Sequence, residues 1–294
     1  MPMNPVIRQR RISLQETGTP YSANMPNLLT NNPRFLRLYE HNVAQLPVTL
    51  RFYNLDNGKK VIDNYDDLQT YIAVFAGHHY YKLQTSFTAL FPHIPVNATV
   101  DIIDYGCGQA LATTVLYDYI IRNNRNIRID KIILIEPSDL ALRRGTMHLN
   151  YFIDHKQQDT EIKKVNLSLD NLTNADLTST TSNIKIHLLS NILDIDNFNL
   201  VSLANKIKNT QRGTNYFVCV SPTNYNAETR IVHFQYQYIN QNINCISGEI
   251  QGNVFNFGNR AWQNPYPIQM VQRIFKCNFE TNFTRPIPVD DLPF

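Results

Sequence analysis

Val100-Asp101-Ile102-Ile103-Asp104-Tyr105-Gly106-Cys107-Gly108-Gln109-Ala110, followed one helix length later by Lys131-Ile132-Ile133-Leu134-Ile135-Glu136-Pro137, decides how the remaining chain is read. The first apolar run, Val100 to Asp104, is short and bounded by a glycine pair, which suits a strand buried on both faces of a parallel sheet. Gly106 and Gly108 carry no β-carbon, so the loop can bend tightly and a ligand can lie against its main chain. Leu111, Val115, Leu116, Tyr119 and Ile120 recur every three to four residues and predict an amphipathic helix opening at that loop. Its free amide groups and positive dipole end would face the ligand. A polar bridge, Ile127 to Asp130, leads to a second buried strand with Glu136 at its carboxyl end. Strand, glycine loop, helix, strand and acid make one βαβ unit. In such a unit the ligand sits at the carboxyl ends of the strands, and an acid ending the second strand accepts hydrogen bonds from the ribose hydroxyls.

The loop also narrows the ligand. A dinucleotide fingerprint, G-x-G-x-x-G, needs a third glycine for close helix packing beside a pyrophosphate, and here that place is Leu111. No Lys follows in the phosphate-loop pattern either. Asp104, two residues before the first glycine, disfavours an anion and favours a cationic or neutral ligand. S-adenosylmethionine, with a sulfonium centre and an ammonium group, meets that condition.

The segment 104–110, Asp-Tyr-Gly-Cys-Gly-Gln-Ala, resembles the first motif of class I S-adenosylmethionine-dependent methyltransferases, D/E-x-G-x-G-x-G, with Ala110 in place of the last glycine. The resemblance runs from about Ile102 to Tyr225. It implies an α/β, Rossmann-like fold: a mostly parallel central sheet with an antiparallel edge strand, helices on both faces, and N-terminal accessory helices and a hairpin. It implies that Asp104 contacts the methionine part of the cofactor, that Tyr105, Gly106, Cys107, Gly108 and Gln109 pass beneath it, and that Glu136 holds the ribose, with Pro137 and Ser138 beside it. Ile184 to Asp194 resembles the segment that packs beside the adenine, which puts Asn191 and Ile192 at the base. Asn215 to Pro222 reads as a fourth strand ending at Ser221, where substrates meet the methyl group in this family. Family members place a helix over the methionine end just before the cofactor strand. Asp67 to Phe91 has that pattern, making Tyr80, Tyr81 and Lys82 lid candidates.

The function implied is methyl transfer from S-adenosylmethionine by in-line displacement to RNA, protein or a small molecule. Holding the nucleophile and methyl group in line supplies much of the rate. A base is needed only for a nucleophile that carries a proton, and Tyr225, His233 or Glu228 could serve. Two other readings stand beside it: an inactive cofactor-binding module or partner subunit, and an NAD-dependent oxidoreductase, which Leu111 disfavours. No metal is expected, since His78 and His79 are adjacent and point about 100° apart on a helix.

The chain divides into an extended arm over 1–33, an accessory or lid region over 34–95, and the cofactor-binding domain over 96–294. Thr49 to Ile62 alternates around Asp56-Asn57-Gly58, a hairpin signal. Lys156 to Asn183 is rich in Asn, Thr, Ser and Asp and reads as a surface excursion that adds nothing to the core. Leu200 to Lys208 reads as a helix. Beyond Asn224 a further helix and strands at Ile243 to Ile250 and Met270 to Phe279 are expected. Trp262 and Tyr266 read as anchors of a loop on the core, with stacking on a planar substrate as the alternative.

Composition sets limits. A chain of 294 residues with 43% hydrophobic content can bury one α/β domain with elaborations, or one domain and a small second one. The net charge of +3 makes no electrostatic case for nucleic acid. Cys107, Cys219, Cys245 and Cys277 lie far apart, which argues against a zinc site or disulfide framework and for a reducing, cytoplasmic setting. Arg8, Arg10 and Arg11 precede no apolar run, so the start of the chain does not read as a secretory signal, and no run is long enough to span a bilayer. The methyl acceptor and the oligomeric state remain open at this level.

Overall fold

The computed structural model describes residues 32–44, 55–56, 58–178, 182–223, 225–247, 252–255 and 267–279. The arm up to residue 31, Asn57, Ile250, Trp262 and Tyr266 lie outside the described residues. The chain forms α1 (Phe35–Ala44), α2 (Tyr65–Leu90), β1 (Thr99–Tyr105), α3 (Leu111–Arg122), β2 (Arg128–Ile135), α4 (Asp139–Lys156), β3 (Glu161–Val165) and α5 (Asn174–Leu177). It continues with β4 (Ile184–Ser190), α6 (Leu200–Thr210), β5 (Gly213–Pro222), α7 (Tyr225–Tyr236), β6 (Asn244–Ser247), β7 (Gly252–Phe255) and β8 (Pro267–Phe279).

The strands join one sheet in the order β3-β2-β1-β4-β5-β8-β6, with β7 also paired to β8. The first five run parallel, and β8 is antiparallel to β5 and to β6. This is the Rossmann-like, mostly parallel sheet expected, although the antiparallel β8 lies inside the sheet and β6 takes the outer place. Between β1 and β4 the winding reverses, which opens a crevice beyond the carboxyl ends of those two strands.

Strand side chains alternate between the two faces. Val100, Ile102, Ile132, Leu134, Ile186 and Val218 face α1, α2, α3 and α4 and build one core. Ile103, Tyr105, Ile133, Leu189, Phe217 and Phe275 face α5, α6 and α7 and build the other. The 26-residue α2 starts where the Asn64 side chain accepts a hydrogen bond from the Asp67 amide, which satisfies a donor left free at the helix start.

Three features depart from the sequence reading. Residues 156–183 are not only surface: they supply β3, which pairs with β2, and they bury Val165, Leu169, Leu172 and Leu177 in the second core. Four apolar residues spaced widely among polar ones suffice because each points the same way onto the sheet. Asp139–Lys156 is a helix that the sequence did not announce, because the buried Arg144, His148 and Asn150 interrupt its apolar face. The stretch from Arg128 to Asp130 already belongs to β2, with Thr99 opposite Arg128 and a register shift at Val100 and Asp101. Of the hairpin expected over Thr49 to Ile62, residues 49–54 and Asn57 lie outside the described residues; at its expected turn the Lys59 amide bonds to the Asp56 carbonyl at 3.0 Å. Among the described residues no helix is long and apolar enough to cross a membrane.

Candidate functional site

The glycine loop leaves β1 at the switch point and is fixed from β2. The Cys107 amide donates to the Ile135 carbonyl at 2.9 Å, and the Gly108 amide donates to Glu136 Oε2 at 3.0 Å. The other carboxylate oxygen, Oε1, accepts from the Ser138 amide at 3.0 Å. Burial pushes the Glu136 carboxyl upward from its ordinary value, and these two amide bonds work against that by favouring the charged form. The Ser138 hydroxyl caps α4 by accepting from the Ala141 amide at 3.1 Å, so the turn carrying Glu136 is held at both ends.

Gly106, Gly108 and Ala110 all have positive φ, at 60°, 53° and 54°. A β-carbon on Gly106 would lie 2.5 Å from Ile192 Cδ1, and at φ 60° glycine fits this turn without strain and lets the Ile192 side chain close on it. A β-carbon on Gly108 would meet nothing within 4 Å: the space above it is open, as a ligand cradle requires. Asn191 also has positive φ, 53°, and its amide bonds to the Val220 carbonyl at 2.7 Å, which turns its side chain back over the crevice.

Asp104 ends up buried beside this loop. Its Oδ2 accepts from the Thr113 hydroxyl at 2.7 Å and the Thr113 amide at 3.2 Å, which leaves Oδ1 without a hydrogen-bond partner among the described residues. Burial raises its pKa to about 7, against the pull of the two Thr113 bonds, and the Glu136 charge adds to the rise. An unpartnered carboxylate oxygen of a buried residue at the wall of a cavity can take a donor or a cation.

One cavity collects these groups. It is lined by Asp104, Gly106, Cys107, Gly108, Gln109, Leu111, Glu136, Pro137, Asn191 and Ile192, together with residues 58–62, 167–170 and 195–198 in part, and with Tyr71 and His79 from α2. Most of the expected cofactor residues therefore meet in one place. Several do not. The Tyr105 side chain lies in the second core, its hydroxyl 2.9 Å from His187 Nδ1, so only its backbone belongs to the loop. Ser138 acts through its cap and its bond to Glu136. Ser221 is buried with its hydroxyl donating to Asp194 Oδ1 at 3.3 Å. Tyr81, expected at the cofactor, lines a separate depression with Arg37, Tyr80 and Arg122, between α1, α2 and α3. Lys82 also stays out of this cavity and lines an adjoining one, where its ammonium nitrogen donates to Asn191 Oδ1.

Of the candidate bases, His233 is exposed on α7 and Glu228 lies on the same helix; neither lines a described cavity. The side chain of Tyr225 lies outside the described residues. The sequence reading missed Tyr71, His79 and the 167–170 segment as cavity walls. Tyr71 and His79 sat in an apolar helical pattern, where the signal that could have found them is their polar atoms. Burial raises the Tyr71 phenol, and the charges of Glu136 and Asp194 add to the rise.

No family model matches the chain, and no curated protein matches it. Solved structures do. A precorrin-6y C5,15-methyltransferase from Geobacter metallireducens is similar at 12% identity with a TM-score of 0.41, over 67% of this chain and 86% of that one. A SAM-dependent methyltransferase from Leishmania major is similar at 10% identity with a TM-score of 0.38, over 82% of each chain. A TehB-like SAM-dependent methyltransferase from Corynebacterium glutamicum is similar at 11% identity with a TM-score of 0.38, over 81% of this chain and 97% of that one. The fold class itself stands on the strand order and the switch-point crevice described above.

Proposed function

We propose that this protein is an S-adenosylmethionine-dependent methyltransferase whose cofactor lies in the cavity at the β1/β4 switch point. One observation carries the reading: the carboxylates of Asp104 and Glu136 stand on the walls of the same cavity, with the glycine loop tied between them by the Gly108 amide. The residues present fit that cofactor. Glu136 would hold the ribose hydroxyls with the lone pairs its two amide bonds leave free. Asp104 Oδ1 would take an ammonium or sulfonium charge, which a buried carboxylate oxygen favours far more than a neutral partner. The open space above Gly108 admits the ligand against the main chain, and Ile192 packs over Gly106.

Bound there, S-adenosylmethionine supplies a methyl group activated by its sulfonium sulfur. The chain's own part is to bind, orient and exclude water: Leu111 and Tyr71 supply the apolar walls, and the Asn191 side chain reaches over the crevice. Leu111 beside Asp104 also favours this cofactor over NAD, whose pyrophosphate would face a carboxylate and a bulky side chain. Methyl-labelled S-adenosylmethionine incubated with the protein and fractionated cell extract tests the activity. Label is expected in one acceptor fraction with the wild type and not with Glu136→Ala; cofactor binding without transfer to any fraction would instead favour a binding module.

A further inference from the structure

Next to the cofactor cavity lies a second one, and the two share Tyr71, His79 and Asn191 as walls. Its own walls are Phe75, His78 and Lys82 of α2, Asp194 after β4, Pro222 at the end of β5, and Asn226 of α7. Lys82 is the unusual member. It is buried, at 3% exposure, and its amine donates to the amide oxygen of Asn191. Among the described residues no carboxylate lies within ion-pair distance of it. A buried ammonium without a carboxylate partner is costly, and the ordinary escape is to lose the proton.

We infer that this second cavity is the methyl-acceptor subsite, that it takes a planar ring bearing a protic heteroatom, and that Lys82 is the base that receives the heteroatom's proton. The inference rests on the methyltransferase reading and deepens it. Tyr71 and Phe75 present aromatic rings 5.1 Å apart, and His79 meets Tyr71 edge-on at 6.1 Å, which makes a wall suited to a flat ring. Lys82 reaches the shared wall through Asn191, so its amine stands one hydrogen bond from a residue that lines both cavities. There the acceptor atom has to meet the methyl group.

The charges facing Lys82 agree. Burial lowers its pKa to about 7, and Asp194 opposes that fall. On its own helix, burial and then Lys82 hold His78 down to about 4 and His79 well below its ordinary value, so both imidazoles are neutral at pH 7. Lys59, exposed at the rim of both cavities, disfavours a second cation, while Asp104 and Glu136 stand in the adjoining cavity. β5 and α7 bring only the uncharged Pro222 and Asn226. In the step, the acceptor's lone pair forms the bond to the methyl carbon as the carbon–sulfur bond of the sulfonium donor breaks, and its electron pair stays on sulfur as a neutral thioether. The proton leaves the acceptor atom for Lys82 Nζ. The ammonium so formed donates to Asn191 Oδ1 and lies in the field of Asp194.

The test has a readout apart from turnover. The Lys82 Cε resonance, assigned by its loss in Lys82→Met, is followed by NMR against pH in the presence and absence of phenol. A midpoint near neutrality is expected, and a midpoint at the ordinary lysine value of about 10.4 would overturn the proposal. Phenol should shift that resonance and cyclohexanol, similar in size but not flat, should not; equal responses, or none to phenol, would count against the planar subsite. Lys82→Met should bind S-adenosylmethionine within about threefold of the wild type yet lose transfer at least ~100-fold, as loss of a general base does. Lys82→Arg should not restore transfer, because a guanidinium stays protonated; if it does, Lys82 serves only as a cation. A wild type that fails to bind S-adenosylmethionine would defeat the methyltransferase reading itself, whereas binding with an ordinary Lys82 midpoint defeats the base alone.

Discussion

Asp104 shows how a single side chain can tie stability to ligand binding. Its folded pKa, about 7, is above its ordinary 3.8 because burial penalises the charged form. The folded state therefore holds a proton that the unfolded state gives up between those values. The stability this group contributes is fully present below about pH 4 and is lost as pH rises through about 7. Asp104→Asn should remove that loss, so the variant's unfolding free energy, measured by denaturant titration, should fall less from pH 5 to pH 7 than the wild type's. The same group predicts that affinity for S-adenosylmethionine rises as pH passes through 7 and the carboxylate becomes charged. Calorimetry at a series of pH values should show a rise for the wild type that is absent in Asp104→Asn; parallel profiles would take the carboxylate out of the cofactor's reach. Ala110 belongs at this scale too: at φ 54° it occupies a left-handed position that glycine fills at lower cost.

At the scale of elements, the loop is packed by a residue that the sequence reading did not single out. Gly145, in the second turn of α4, lets that helix lie directly on the loop: a β-carbon there would sit 2.5 Å from the Gln109 carbonyl carbon and 2.8 Å from the Ala110 nitrogen. In the dinucleotide fingerprint, the loop's own third glycine allows close helix packing; here Leu111 takes that place and the helix supplies a glycine instead. Gly145→Ala should therefore weaken both folding and cofactor binding, although alanine is the better helix former by about 1 kcal/mol. A thermal midpoint that rises, with unchanged affinity, would contradict this packing. The contrast explains what was legible. β1, α3 and β2 announced themselves because burial on both faces, or on one clean stripe, leaves an unbroken apolar signal, and the two acids and two glycines between them marked one wall of the cavity. α4, β3 and the walls at Tyr71, His79 and residues 167–170 did not, because they mix polar residues into buried positions for which pattern alone gives no reason. Tyr81 and Lys82, read together as lid candidates, part company because adjacent positions on α2 face different ways: Lys82 turns toward Asn191 while Tyr81 turns toward Tyr80 and Arg122.

For the whole molecule, one sheet separates two cores, and the site lies at their common upper edge. The core behind β5 is aromatic. Phe217 stacks between His187 at 4.4 Å and Phe275 at 4.7 Å and tilts against Tyr238 at 4.8 Å, linking β4, β5, β8 and the turn after α7. Phe217→Ala should cost ~3–5 kcal/mol of stability and lower the thermal midpoint by about 10 °C, with the cofactor affinity of the folded protein little changed. An equal loss of affinity would mean that the sheet's antiparallel side shapes the crevice more directly than its side chains indicate. The claim that unites these scales is that the switch-point cavity holds S-adenosylmethionine between Asp104 and Glu136. Titration calorimetry of the wild type, Asp104→Ala and Glu136→Ala with S-adenosylmethionine, S-adenosylhomocysteine and NAD tests it most directly. The wild type should bind the first two and not NAD, and each variant should lose at least ~10-fold in affinity for S-adenosylmethionine, the loss expected for a charged hydrogen bond. Binding of NAD alone, or S-adenosylmethionine binding untouched by both substitutions, would contradict it.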